Sequence, residues 1–527
     1  MSRLTMICAG FALAACGSDD AGTATDAAGE GVPAAVFAEG DPAAGIDWFD
    51  GSVDAAFRHA AETGKPVYLY WGAVWCPPCY AIAETVFKSP AFLERSKLFV
   101  PVYLDGDTEN AQAYGERFGV LGYPTMIVFG PDGEELTRIP GGIDIQAYAN
   151  VLDLALADTA PVASVVERVL AGDATLTRAE CALLAYYSWG QDPRILADRS
   201  RVDAFRRMHA ACPEDAATER SILYLDWLSA SARARDDAAA PGAAGRTDAV
   251  QAFLRILADH ELVKAAILAI LLDGADIAAA LTDPGTAERE RVLEALETAY
   301  DRVEADESIY KRERIYTMAG RIELARIDDP GAELPAALRE RIRAMVQWAD
   351  ESTPGVYQRQ PIVNALANVL AEAGMDDVAK PLLLAELDRS KEPYYFMPAL
   401  ADIEQRAGNT AAALDWLRRA HATSRGPATR FQWGYYYVSG LIEMTPGDAD
   451  AIRASTIALI DELQRSAGFY QRPKSQLARL EQALLAWSEA GSHEATLLTI
   501  RNGVQAICQR DEEPASRAAC ESFLGVL

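Results

Sequence analysis

Apolar positions along the chain follow two different patterns. Between about residues 46 and 157, short continuous apolar runs alternate with stretches of helical spacing; beyond residue 158 only helical spacing persists. Ser52-Val53-Asp54 opens an amphipathic helix that ends near Gly64. The run Val67-Tyr68-Leu69-Tyr70-Trp71 reads as a buried strand. A helix follows from Pro77 to about Lys88, and Ser89-Pro90 starts a second, shorter one. Residues 98–104 are rich in Val, Phe and Tyr and predict a second strand, and residues 109–118 a helix. Residues 125–129 predict a third strand, Pro131-Asp132-Gly133 a tight turn, and residues 134–139 a fourth strand. Residues 144–157 close the unit with a helix. Strands alternating with helices, then a hairpin, then a helix predict an α/β layer fold for residues 46–157.

The chemistry sits where the first strand gives way to a helix, at Trp75-Cys76-Pro77-Pro78-Cys79. Two cysteines at this spacing can form and break a disulfide with each other. The first stands where unpaired backbone N–H groups and the helix dipole favour negative charge, which lowers a thiol pKa and supplies the thiolate that attacks disulfides. Pro77 suits the first helical turn, where its missing N–H would have had no partner. A closed, static Cys76–Cys79 disulfide is the other reading, but so short a loop is a poor staple.

The order of elements and the placement of Trp-Cys-Pro-Pro-Cys resemble the thioredoxin fold. Gly122-Tyr123-Pro124-Thr125 resembles that family's cis-proline loop. Lys65-Pro66-Val67, Phe118-Gly119-Val120-Leu121 and Pro131-Asp132-Gly133 resemble the periplasmic branch, which includes the C-terminal domain of the membrane disulfide-interchange reductase. The resemblance covers about a fifth of the chain. It implies that Cys76 attacks a substrate disulfide, that Cys79 resolves the mixed disulfide, and that Pro124, in cis, presents the backbone of Tyr123 to an extended client. Trp75 would offer an aromatic surface to that client. One position departs from the family: the buried acid that many thioredoxins carry six residues before the first cysteine is Tyr70 here. Glu84 on the following helix is a candidate replacement as proton acceptor, against the simpler reading of a solvated helix residue.

Residues 158–527 predict an all-α region in which Ala, Leu, Arg and Glu dominate. Breaks fall at Gly190, Cys212-Pro213, residues 236–245, Asp283-Pro284-Gly285, Asp329-Pro330-Gly331, Thr353-Pro354-Gly355, Gly374, Gly408, Gly426-Pro427, Pro446-Gly447 and Gly491. The apolar stretch 265–272 is too short to span a membrane and predicts a buried helix. Ala373-Gly374 and Ala407-Gly408 are related by a 34-residue step, and Ala413 and Ala420 follow Gly408 at small-residue positions. This resembles a tetratricopeptide repeat, and residues 335–527 are assigned to such a region, with 158–334 as helical but without the signature. The copy after Gly374 keeps Ala379, has Glu386 at the later small position, and carries Pro381, which is expected to disturb its helix. Such a solenoid implies a concave face for a partner protein. Tyr394-Tyr395-Phe396 and Trp433-Gly434-Tyr435-Tyr436-Tyr437 either line that groove or fill helix seams. Cys181 with Cys212, and Cys508 with Cys520, are candidate structural disulfides, with buried free thiols as the alternative.

Residues 1–15 join a basic start to an apolar run ending Leu13-Ala14-Ala15-Cys16, which resembles a lipoprotein signal. That resemblance implies cleavage before Cys16, acylation of Cys16 and anchorage to a bilayer. Gly17 after the cysteine favours outer-membrane over inner-membrane sorting in the periplasm. Residues 16–45 carry almost no large apolar side chain and read as a tether. A formal net charge of -28 excludes a general phosphate-binding field, so no nucleic-acid partner is expected. None of the five histidines stands at metal-ligand spacing from a cysteine, so no metal and no cofactor is expected. The chain therefore reads as a lipid-anchored periplasmic thiol–disulfide oxidoreductase that reduces or isomerises protein disulfides. Its electrons would come from a membrane donor of the thiol-transporter type. The alternative is a helical scaffold whose redox head is non-catalytic or regulatory.

Overall fold

The computed structural model describes residues 45–141, 145–157, 159–172, 175–234, 241–466, 469–511 and 514–525. The signal segment, Cys16 and tether residues 16–44 lie outside the described residues.

Four strands, β1 (Val67–Gly72), β2 (Val100–Asp105), β3 (Thr125–Phe129) and β4 (Glu135–Ile139), form one sheet in the order β2-β1-β3-β4. β1 runs parallel to β2 and antiparallel to β3, which pairs antiparallel with β4. The helices are α1 (Val53–Thr63), α2 (Pro77–Thr85), α3 (Pro90–Ser96), α4 (Glu109–Phe118) and α5 (Ile145–Leu156). Every residue of β1 is buried, because successive side chains point to opposite faces and both faces are covered. Val67, Leu69 and Trp71 pack with Ile127, Phe129 and α1. Tyr68 and Tyr70 enter a core that continues without interruption through α5 into helices as far as Leu324. The α/β unit and the helical region therefore share one core. β1 and β2 deliver their carboxyl ends side by side, which sets the reactive turn after Gly72 next to the loop after Asp105.

From Val162–Ala171 to Pro514–Ser522 the described chain is helical. The breaks at Gly374 and Gly408 are the same device used twice, 34 residues apart. Each glycine takes a positive φ, 64° and 79°, and each closes its helix with a paired bond set. The N–H of Met375 reaches the Leu370 carbonyl and that of Asn409 reaches Glu404, while Gly374 and Gly408 bond to Ala371 and Gln405. The disturbance expected at Pro381 does not occur: the helix Asp376–Arg389 continues through it, losing one backbone bond near its first turn. Glu386, read as a departure from a small residue, is buried against Arg359 of the preceding helix, whose Nε and Nη2 donate to its Oε2 at 3.0 and 2.9 Å. The stretch 265–272 divides between the helices His260–Ala265 and Ile267–Leu281. No described helix is long and apolar enough to cross a membrane.

Removing one partner of a buried pair strands the other charge. Glu386→Ala is therefore expected to lower stability by roughly 3 kcal/mol, the low end of the usual range because Asp350 still accepts from Arg359. The apolar double replacement Arg359→Met with Glu386→Leu is expected to cost less than half of that. Urea unfolding followed by far-ultraviolet circular dichroism checks both.

Candidate active site

Beyond Gly72 the chain turns, with the Cys76 N–H bonded to the Ala73 carbonyl at 3.1 Å, and enters α2. Cys76 is the cap residue of that helix. It keeps an extended backbone, φ −85° and ψ 109°, and its Sγ accepts the backbone N–H of Cys79 at 3.1 Å. Pro77 occupies the first turn, where no N–H is required. A negative charge on Cys76 Sγ would thus meet a directed backbone donor and the positive end of the α2 dipole. The two cysteines are joined as a disulfide, with Cα atoms 5.2 Å apart. Disulfides also join Cys181 to Cys212 and Cys508 to Cys520, well away from this site in the sequence.

The Tyr123–Pro124 peptide bond is cis. The Tyr123 ring stands 6.3 Å from that of Trp75 and brings the loop beside the cysteines. Its hydroxyl donates to the Gly106 carbonyl at 2.9 Å and accepts from Gln112 at 2.6 Å. Gly106 lies directly beneath this ring: a Cβ there would sit 2.1 Å from Tyr123 Cζ. From behind, Gln191 donates to the Pro124 carbonyl at 2.7 Å.

Tyr70, in place of an acid, is buried in an aromatic cluster with Phe87 at 4.9 Å, Tyr103 at 5.6 Å and Trp48 at 6.1 Å. Glu84 accepts from Lys88 four residues on at 2.8 Å and from Gln358 of the helical region at 3.1 Å, so its carboxylate is already engaged. Burial raises the pKa of Asp105, opposed by the hydrogen bond it accepts from the Asp107 backbone. Among the described residues, no group of three or more His, Cys, Asp or Glu side chains is placed to hold a metal ion.

The reactive face is covered. Cys76 is 2% exposed, Cys79 5% and Trp75 7%. They share one apolar cluster with Ile315, Met318, Ile362, Phe396 and Trp433 of the helical region. Tyr395 stacks on Trp75 at 6.3 Å, and Trp433 meets it edge-on at 6.3 Å. Gln360 donates to the Trp75 carbonyl at 2.6 Å. The Trp75 indole N–H donates to Asp107 Oδ2 at 3.0 Å. Asp107 Oδ1 accepts the Thr429 backbone N–H at 3.1 Å and the Thr429 hydroxyl. Gly426, φ 79°, approaches so closely that a Cβ there would lie 2.6 Å from Asp107. One polar atom in this interface, Trp433 Nε1, is buried without a hydrogen-bond partner. Burial, then the neighbouring Glu392, pushes the Tyr394 pKa up, so its hydroxyl stays protonated.

This arrangement departs from the expectation of an open aromatic surface at Trp75: an indole between two rings is better buried than solvated, and the helices bury it. Trp433 packs on Tyr394 at 5.8 Å and on Tyr395 at 5.9 Å, as the seam reading expects, and Tyr395 and Trp433 also meet Trp75 beside the redox pair. Asp107, Gln360 and Thr429 carried no recognisable pattern. The one available signal for Asp107 was its place just beyond the carboxyl end of a strand parallel to β1, where open α/β sheets collect functional groups.

A family model described as a thioredoxin-like domain matches residues 53–156. Over 104 residues the chain is 33% identical to the thiol:disulfide interchange protein DsbD 1 of Pseudomonas aeruginosa, covering 19% of this chain and 18% of that one. It is 33% identical over 92 residues to the protein disulfide-isomerase erp38 of Neurospora crassa, covering 17% and 24%. To a thioredoxin H-type of Oryza sativa subsp. indica it is 35% identical over 89 residues, covering 17% and 67%. The chain thus spans less than a quarter of the first two relatives, and these three alignments cover less than a fifth of it.

Because the Tyr123 ring is pinned by Trp75 and Gln112, Gly106→Ala forces the ring off the loop. The expected cost is about 1–3 kcal/mol of stability together with a shifted tryptophan emission. Thermal melts and fluorescence spectra of the two proteins check it.

Proposed function

Since the chain belongs to the thioredoxin-like family through residues 53–156, we propose that it is a thiol–disulfide oxidoreductase working through Cys76 and Cys79. The observation that carries this is the Cys76 sulfur at the α2 N-terminus, receiving the Cys79 N–H, beside the Tyr123–Pro124 loop. In the reduced protein the Cys76 thiolate attacks one sulfur of a client disulfide. The client S–S bond breaks, a Cys76–client disulfide forms, and the departing client thiolate takes a proton. Cys79 then loses its proton and attacks Cys76 Sγ. The mixed disulfide breaks, the second client thiol leaves protonated, and the Cys76–Cys79 bond forms. Two electrons and two protons have passed to the client, and an external dithiol must restore them.

The finer reading is that protein disulfides are reduced or isomerised in the periplasm. The chain is held to a membrane through acylated Cys16, and electrons come from a membrane thiol transporter. Its support is the Leu13-Ala14-Ala15-Cys16 pattern and the likeness to proteins whose names describe disulfide interchange and isomerisation. Docking of partners on the helical region belongs to the same reading. One observation favours the rival, a scaffold with a silent head: the pair is covered in this conformation.

In an insulin-reduction assay with dithiothreitol, the chain is expected to accelerate turnover and Cys76→Ser to abolish the acceleration. Cys79→Ser is expected to accumulate client proteins as mixed disulfides that dithiothreitol releases. Activity indifferent to Cys76→Ser would remove the redox role and leave the scaffold. For the anchor, Cys16→Ala is expected to move the protein from the membrane to the soluble fraction of lysed cells. Equal membrane retention of the variant would dismiss acylation at that residue.

A further inference from the structure

We propose that the helical region is a gate over the Cys76–Cys79 pair, latched through Asp107 and Gln360, and that a client reaches Cys76 only after this cover parts from the head. The proposal rests on the reading of the pair as an exchange site and adds how that site is regulated. Disulfide exchange requires the attacking, central and leaving sulfurs to lie nearly in line. A client sulfur carried on a polypeptide needs a clear approach, and a Cys76 that is 2% exposed offers none. The exchange described above and the closed geometry are compatible only if the cover moves.

The two sides on which the helices hold the head are built differently. Behind the sheet, the fully buried Arg138 side chain of β4 is neutralised by Glu135 and Asp192 and also donates to the Phe118 carbonyl at 2.5 Å. The Ser188 N–H meets the Arg138 carbonyl at 2.9 Å, and Tyr187 donates to Asp192 at 2.9 Å. That side is polar, interlocked and continuous with the shared core. In front, the cover rests on an apolar cluster, aromatic stacking and a few donors, and it leaves Trp433 Nε1 without a partner.

The donors of the latch also resemble what a client brings. The Thr429 backbone N–H on Asp107 and the Gln360 amide on the Trp75 carbonyl are peptide-type groups. An extended client chain carries the same groups and can replace them in kind. The cover thus occupies the face that an extended disulfide-bearing polypeptide would use. Gly426, whose approach to Asp107 leaves no room for a side chain, is where the closed state is most easily wedged apart.

The test uses the full chain, reduced with dithiothreitol and desalted. Cys76 labelling by a polyethylene-glycol maleimide is followed by mass spectrometry for the wild type, Thr429→Val, Gln360→Ala and Gly426→Ala. Labelling of wild-type Cys76 is expected to be slower by about tenfold or more than in the three variants, and insulin turnover is expected to rise in the variants. The wild type is also labelled in concentrated urea, which reads protection without any substitution. Melting curves establish that each variant compared is folded. Equal labelling of native and urea-unfolded wild type, or of wild type and the folded variants, overturns the gate. Fast labelling in the variants with no insulin turnover upholds the gate and instead overturns the exchange reading.

Discussion

The front contact between head and helices is arranged around one indole. Trp75 immediately precedes the reactive cysteine, and its ring is held between Tyr395 and Trp433 while its N–H is held by Asp107. Burying such a ring is worth about 3–4 kcal/mol by area. A carboxylate in the same place is costly unless its lone pairs are filled, and Asp107 accepts from Trp75 and from both the backbone and the hydroxyl of Thr429. Against this stands the buried indole N–H of Trp433, at about 1–3 kcal/mol when left unpaired. The rear contact has no such deficit at Arg138, whose charge and N–H groups are met on several sides.

The remaining helices act as a frame that keeps this front contact in register. The core running from β1 through α5 to Leu324 fixes one end of the helical region to the head. At the far end, Lys474 pairs with Glu116, and Tyr470 donates to Glu109 at 3.4 Å, so the chain returns to α4. Between these anchors lie the helix pairs closed at Gly374 and Gly408, which carry Gln360 and the Tyr394–Phe396 segment. The buried pair of Arg359 and Glu386 sits one residue from Gln360 and ties its helix to the next. Stiffness next to the latch lets a small loss at Asp107 or Gln360 act on the whole cover rather than on one side chain.

The sequence made the α/β unit and its chemistry readable because their determinants are local. A strand, a Cys-Pro-Pro-Cys turn and a Tyr-Pro loop each announce themselves within a few residues, and Gly374 and Gly408 did the same for the helix ends. What could not be read was pairing over distance. Nothing near Gln360 or Thr429 points to Trp75 or Asp107, some three hundred residues earlier in the chain. Tyr395 and Trp433 pack on each other as seam aromatics do, and their further partner, Trp75, was hidden because it is on the other unit. Pro381 misled for a simpler reason: a proline near the start of a helix removes a single bond, which neighbouring packing absorbs. Glu386 looked like a flaw in a repeat until Arg359 supplied the counter-charge.

A covered nucleophile changes what the reactivity of Cys76 means. The helix terminus sets how reactive the sulfur is once reached, and the cover sets how often it is reached. If the front contact favours the closed state by about 3 kcal/mol, the observed rate falls by roughly 150-fold with no change at the sulfur itself. A client recovers that factor only to the extent that it binds the open state better than the closed one. Selectivity among disulfides can then reside in the helical surface that parts from the head, while the cysteine pair remains as generic as any in its family. A thiol that is both strongly activated and freely exposed would exchange with whatever disulfide it met, and the same activation behind a movable cover is restricted to partners able to displace Thr429 and Gln360 from their acceptors.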